Sequence, residues 1–175
     1  LGDCVIPLMP ASQPRLTVAE RPTFFVYVPE TAAKEIFFSL RDENSQTSYQ
    51  TKIPLAGQSG IVSFKLPDDA PALEVGKNYQ WAFILVGETG LRPDSPGVQG
   101  TIQRVELNPS VKTQLDQVTS LERAALYRKN GLWLETLATL AEARKLQPND
   151  SSLAASWEDL LKSAGLEAIA TRPLL

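Results

Sequence analysis

The sequence predicts an α+β fold: an antiparallel, immunoglobulin-like β-sandwich of about seven strands, then a C-terminal module of three to four helices packed on it. Three observations carry this expectation. Short runs rich in aromatic and β-branched residues, bounded by turn residues, fill residues 23–107. Beyond Asn108-Pro109 the apolar spacing changes from two residues to three and four. With 43% hydrophobic and 21% charged residues, a chain of 175 residues can bury one core.

Residues 1–22 carry Pro7, Pro10, Pro14 and Pro22 among apolar residues. Proline lacks the amide a helix needs, so this segment reads as an extended arm over the domain, with residues 16–19 as a short strand. The sandwich spans residues 23–108. Its runs are 23–28 (TFFVYV), 35–41 (EIFFSLR), 48–55, 60–66, 78–86 (NYQWAFILV) and 98–107. Alternation places Ile36, Phe38 and Leu40 on one face, as it does Val62, Phe64 and Leu66, and Tyr79, Trp81, Phe83 and Leu85. These are the predicted core. The second face of residues 78–86 carries Ala82, Ile84 and Val86, so this strand is expected to be central, with the helices covering its outer face. Ile102 and Val105 stand three apart, and a bulge near Gln103-Arg104 would restore the phase.

The helical module is placed at residues 109–171. Asn108 is an N-cap with proline at the first helical position, and 119–122 (TSLE) matches a capping box, which leaves one long helix or two short ones open. Asp150 caps a further helix over 151–164, with Leu153, Trp157, Leu160 and Leu161 on one face and Gly165 closing it. Between them, residues 117–150 resemble a single tetratricopeptide repeat. Ala124, Tyr127, Gly131, Trp133, Leu140, Ala143, Leu146 and Pro148 fall at its small, aromatic, turn and stop positions, while Thr136 departs from its usual alanine. About three such repeats are needed for a continuous concave surface, so one hairpin is expected to dock on the sandwich.

The chain has no histidine and one cysteine, Cys4. Histidine-based triads, histidine metal sites, zinc fingers and intramolecular disulfides are thereby excluded. Cys4 reads as a spare thiol or an interchain partner. Charge is mild at −3: residues 111–175 hold eight basic and eight acidic residues, and the rest hold nine and twelve. With no basic cluster in the sequence, nucleic acid is not an expected partner. No apolar run approaches a membrane span. A start at Leu1 fits a removed secretory leader.

Three carboxylate pairs, Asp42-Glu43, Asp68-Asp69 and Glu158-Asp159, are the candidates for acid–base residues. Adjacency does not set two carboxylates across a substrate, and acidic residues are ordinary in turns. No phosphate loop, dinucleotide fingerprint or nucleophile elbow occurs. Catalytic, metal and cofactor residues are accordingly predicted to be absent.

Segments 21–29 (RPTFFVYVP), 60–67 (GIVSFKLP), 73–83 (LEVGKNYQWAF), 122–137 (ERAALYRKNGLWLETL) and 160–170 (LLKSAGLEAIA) together resemble a cyanobacterial family, a domain of unknown function, DUF 928. The resemblance implies an exported protein of the periplasm or cell envelope and carries over no catalytic residue. The expected function is a non-enzymatic, extracytoplasmic interaction or structural module, acting on a protein partner or a second copy. Its candidate surface is Phe25, Tyr27, Ala82, Ile84, Val86 and Trp133. The alternatives are a small-ligand or glycan-binding sandwich using exposed Phe25, Tyr27 or Trp133, and a carboxylate-dependent hydrolase.

Overall fold

In a computed structural model that describes residues 4–11 and 15–175, the alternating runs become eight strands in two sheets. The strands are β1 (Ile6–Pro7), β2 (Leu16–Thr17), β3 (Thr23–Val28), β4 (Glu35–Arg41), β5 (Thr47–Pro54), β6 (Gly60–Lys65), β7 (Asn78–Val86) and β8 (Gly97–Arg104). One sheet has the order β1-β3-β6 and the other β2-β8-β7-β4-β5. The fold class is α+β and sandwich-like, as expected.

The inner faces meet through aromatic rings. Phe24 of the smaller sheet lies 5.3 Å from Phe38 and 6.1 Å from Trp81, and Phe64 lies 4.7 Å from Phe38. Tilted and edge-on ring pairs of this kind add about 0.5–1.5 kcal/mol each beyond their burial. Ile36, Phe38, Leu40, Tyr79, Trp81, Phe83 and Leu85 are all buried, as alternation requires, while Val62 and Phe64 are half-buried. Gly100 sits opposite Trp81, and a side chain there would meet the indole at 2.5 Å. The Tyr79 hydroxyl accepts a bond from the Glu74 amide at 2.8 Å and pins the corner before β7.

The arm takes part in both sheets instead of lying over one. β1 pairs antiparallel with β3, and β2 pairs parallel with β8. The strand count rises from seven to eight because the arm supplies β1 in addition to the strand expected within 16–19; residues 1–3 and 12–14 lie outside the described residues. At the other terminus Leu174 bridges Ile61 in parallel, extending the smaller sheet at its β6 edge. The expected bulge near Gln103-Arg104 is absent: β8 pairs with β7 in regular register and ends at Arg104, so Val105 need not keep the phase. The irregularity falls instead between Leu40 and Arg41, where β4 meets β5.

Four helices follow: α1 (Pro109–Leu115), α2 (Ser120–Lys129), α3 (Trp133–Leu146) and α4 (Ser151–Ser163), with a 3₁₀ turn over Glu167–Ile169. Three of the four starts carry a side-chain cap, and α3 begins after Leu132 without one. Asn108 accepts the Ser110 amide, Thr119 the Glu122 amide and Asp150 those of Ser152 and Leu153. The capping box therefore separates two short helices. Gly131, at φ 73°, makes the tight turn that folds α3 back along α2.

The helices do not cover β7. They pack on β3 and β2, through α3 and the ring of Trp157. The reason lies in β3 itself. Phe24, Val26 and Val28 face the sandwich core, and Phe25 and Tyr27 point the other way, where they need a cover of their own. Trp157 of α4 supplies one, edge-on to Phe25 at 6.1 Å. On the outer face of β7, Ala82 and Ile84 remain half-buried beside their cross-strand neighbours Ser39, Phe37, Gln99 and Gly97.

Trp157 has no solvent exposure, so its removal leaves a void between the two parts of the fold. Trp157→Ala is expected to cost about 3–5 kcal/mol, read from the urea midpoint of the full chain.

Candidate interaction groove

One concavity of the helical module runs between α2 and α4, with α3 as its floor. Small side chains open it. Ala124 and Ala125 on one wall and Ser156 on the other leave Thr136 and Leu140 of α3 at the bottom, in a cavity of about 410 Å³. Thr136, the departure from alanine, is buried with its hydroxyl donating to the Leu132 carbonyl at 2.8 Å, so the helix absorbs its polar group. Leu121 stands near the start of α2 and is 37% exposed; Arg128 and Lys129 stand at its end. The groove is thus apolar at one end and cationic at the other. Arg128 reaches Asp159 of α4 at 3.4 Å and ties the two walls together.

Past Leu121 the groove continues into a cleft of about 440 Å³ bounded by Thr119, Ala143, Leu146 and Leu153. Leu146 is 76% exposed there. An exposed leucine on its own is ordinary, but two bordering a continuous concavity form an apolar path.

The residues expected to form an interaction surface are not brought together. Phe25, Tyr27 and Trp133 are 4%, 3% and 7% exposed, all in the seam between sheet and helices. Trp133 donates its indole N–H to the Leu8 carbonyl at 2.6 Å, which fixes α3 to the arm. Ala82 and Ile84 lie on the far sheet, and Val86 is buried at the end of β7, where its carbonyl accepts from the Lys34 amide. The residue pattern leaves the burial of these residues open, because an aromatic side chain on a strand reads the same whether a second layer covers it or not. The groove residues were missed for the opposite reason: alanine and serine in a helix carry no signal of a cavity.

The carboxylate pairs lie in separate parts of the fold. Asp42 accepts the amides of Asn44 and Gln46 in the β4–β5 turn, and Glu43 accepts the amide of Asn78 at 2.8 Å. Asp68 and Asp69 are exposed in a turn, and Asp159 holds Arg128. Among the described residues no group of three acidic or cysteine ligands could hold a metal, and Cys4 is exposed.

A buried acid does occur, in the seam. Glu135 of α3 accepts bonds from the Thr17 hydroxyl and, at 3.0 Å, from the Val18 amide. The Thr17 oxygen already accepts the Ala19 amide, which leaves its proton for Glu135. The second carboxyl oxygen is buried with no partner among the described residues. Burial pushes the Glu135 pKa up, against the opposing pull of the Thr17 and Val18 bonds.

A family model described as Domain of Unknown Function (DUF928) matches residues 2–174. The chain belongs to this family. The match spans both the sandwich and the helices, so DUF928 denotes the whole integrated unit and not the sheet part alone. No curated protein matches the chain. Among the described residues no helix of this DUF928 chain is long and apolar enough to cross a membrane.

The raised pKa of Glu135 has a consequence for stability. The folded chain holds this proton more tightly than the unfolded chain, so its contribution is complete below the ordinary carboxylate range and declines as pH rises through the raised folded value. Glu135→Gln keeps the acceptor and removes the ionisation. Its melting temperature is expected to exceed the wild type at pH 7, with the gap closing toward pH 4; a pH-independent difference would contradict the assignment.

Proposed function

We propose that this DUF928 chain is a non-enzymatic, extracytoplasmic interaction module whose α2–α4 groove receives an extended segment of a partner protein. The observation that carries the reading is the groove itself: an open cavity of about 410 Å³ with an apolar floor, walled by alanine and serine and cationic at one end. Such a segment would set apolar side chains over Leu121 and Leu140 and direct any acidic group toward Lys129. The helical hairpin is read as a tetratricopeptide-type unit, with α4 standing where the first helix of a following repeat would stand. The sandwich serves as its base.

An immunoglobulin-like reading of that base draws support from the strand order. Two sheets ordered β1-β3-β6 and β2-β8-β7-β4-β5 correspond to the A-B-E and G-F-C arrangement of that fold, with the arm divided between them. The Tyr79–Glu74 bond corresponds to its tyrosine corner. The exported, envelope location and a cyanobacterial source rest on the family resemblance of the segments quoted above. A glycan-binding reading on Phe25, Tyr27 or Trp133 loses its support, because all three rings are spent in the seam. The hydrolase reading fares no better, since the three carboxylate pairs serve separate turns and helix contacts.

A photo-crosslinking residue placed at Ala125 in the native cell should capture a discrete protein, whereas one at Gln50, on the outer face of β5, should not. Ser156→Trp, on the facing wall, should fill the groove and abolish capture by the crosslinker at Ala125 without lowering the melting temperature. Equal labelling at both positions, or at neither, would remove the groove from consideration. Recovery of the protein with the envelope fraction tests the location separately.

A further inference from the structure

A second cleft lies where the outer face of the smaller sheet emerges from under the helices. It shares no lining residue with the cavity between α2 and α4 and adjoins the cleft of about 440 Å³ at Ser120, Ala143 and Leu146. Its sheet side is made by two cross-strand pairs, Thr23 with Lys65 and Phe25 with Ser63. Its helix side is the first turn of α2 and the second half of α3, where Ala138 and Ala141 are too small to fill the space above the strands. The result is a cavity of about 420 Å³, within the range of small-molecule sites.

The lining is chemically biased. Lys65, Arg123 and Lys145 border the cleft from three different elements, and Glu142 is the one acidic residue among its lining residues. The chain as a whole has 20 acidic and 17 basic residues, so this local excess of positive charge runs against the average. Among the described residues none of the three cations enters an ion pair. The hydroxyls of Thr23, Ser63 and Ser120 also line it and make no side-chain hydrogen bond with a described residue, which leaves three O–H donors beside three cationic ones.

Unpaired cations and free hydroxyls converging from a sheet and two helices are the complement of one chemical class. We infer that this cleft binds a small molecule carrying two or more oxyanion groups, phosphoryl or carboxyl. Lys65 and Lys145 hold its charges from opposite walls, Arg123 offers a planar fork to one anionic group, and the hydroxyls take the remaining oxygens. The buried ring of Phe25 closes the base. The linear sequence hides this site because its cations stand far apart along the chain, in β6, α2 and α3, and only docking of the helices on β3 assembles them.

Titration calorimetry on the full chain tests the inference with two probes, pyrophosphate for the phosphoryl arm and citrate for the carboxyl arm. Saturable binding of at least one is expected, weakening as salt is raised. Lys65 and Lys145 are exposed, so Lys65→Met with Lys145→Met should leave the melting temperature unchanged and weaken binding about tenfold or more. Arg123→Gln should weaken it in the same direction, and Ala125→Trp in the other groove should not. Absence of saturable binding by both probes would overturn the inference. So would a double variant that binds as the wild type does, or affinity that salt leaves unchanged.

Discussion

From Phe24 to Val28 strand β3 presents an apolar or aromatic body at every position, so neither of its faces can be left to water. One face is met by the larger sheet, through Phe24 against Phe38 and Trp81. The other is met by the helices, through Phe25 against Trp157. A strand buried on both sides joins what would otherwise be two layers into three. The remaining architecture follows from keeping this strand covered and its edges paired: β1 lies along one edge, β6 along the other, and Leu174 continues beyond β6.

The seam over β3 is also where polar groups have to be accommodated. A helix laid on a sheet brings its own side chains and the backbone of the arm out of water, and each polar group there needs a partner. Trp133 finds the Leu8 carbonyl and Glu135 finds Thr17 and Val18, so both ties run from α3 to the N-terminal arm. The arm is therefore the joint between sandwich and helices, in contact with both sheets and with α3. Its two short strands matter less for the hydrogen bonds they add to the sheets than for the acceptors and donors they hold under the helix.

Use of the seam for cohesion decides where function can reside. Aromatic residues that would make an attractive binding surface on an isolated sandwich are consumed in holding the layers together. Two of the openings that remain lie where the helices fall short of full cover. Between α2 and α4 small side chains keep the walls apart, and at the free end of β3 and β6 the alanines of α3 leave a polar cleft. Both concavities exist because of residues chosen for their small size, and both are edged by cations. The helical hairpin is thus a fixed part of the fold on its sheet side and open on its outer side.

Much of the fold was legible in the residue order. Period-two runs placed the strands and the inner core, and Asn108, Thr119, Asp150, Gly131 and Gly165 marked the helix boundaries, because capping and turn chemistry act within a few residues. The face that the helices cover was decided only in three dimensions. Residues 78–86 looked doubly apolar, yet Asn78 and Gln80 already interrupt one face, whereas 24–28 has no such interruption; the stronger signal was the unbroken run. The candidate sites show the same division. Alternation says which side chains leave a strand together but not which layer awaits them, so Phe25, Tyr27 and Trp133 could be named as notable and not as buried. Local chemistry determined the elements. Only the competition among apolar faces for cover, settled by β3, decided what stayed exposed to bind anything else.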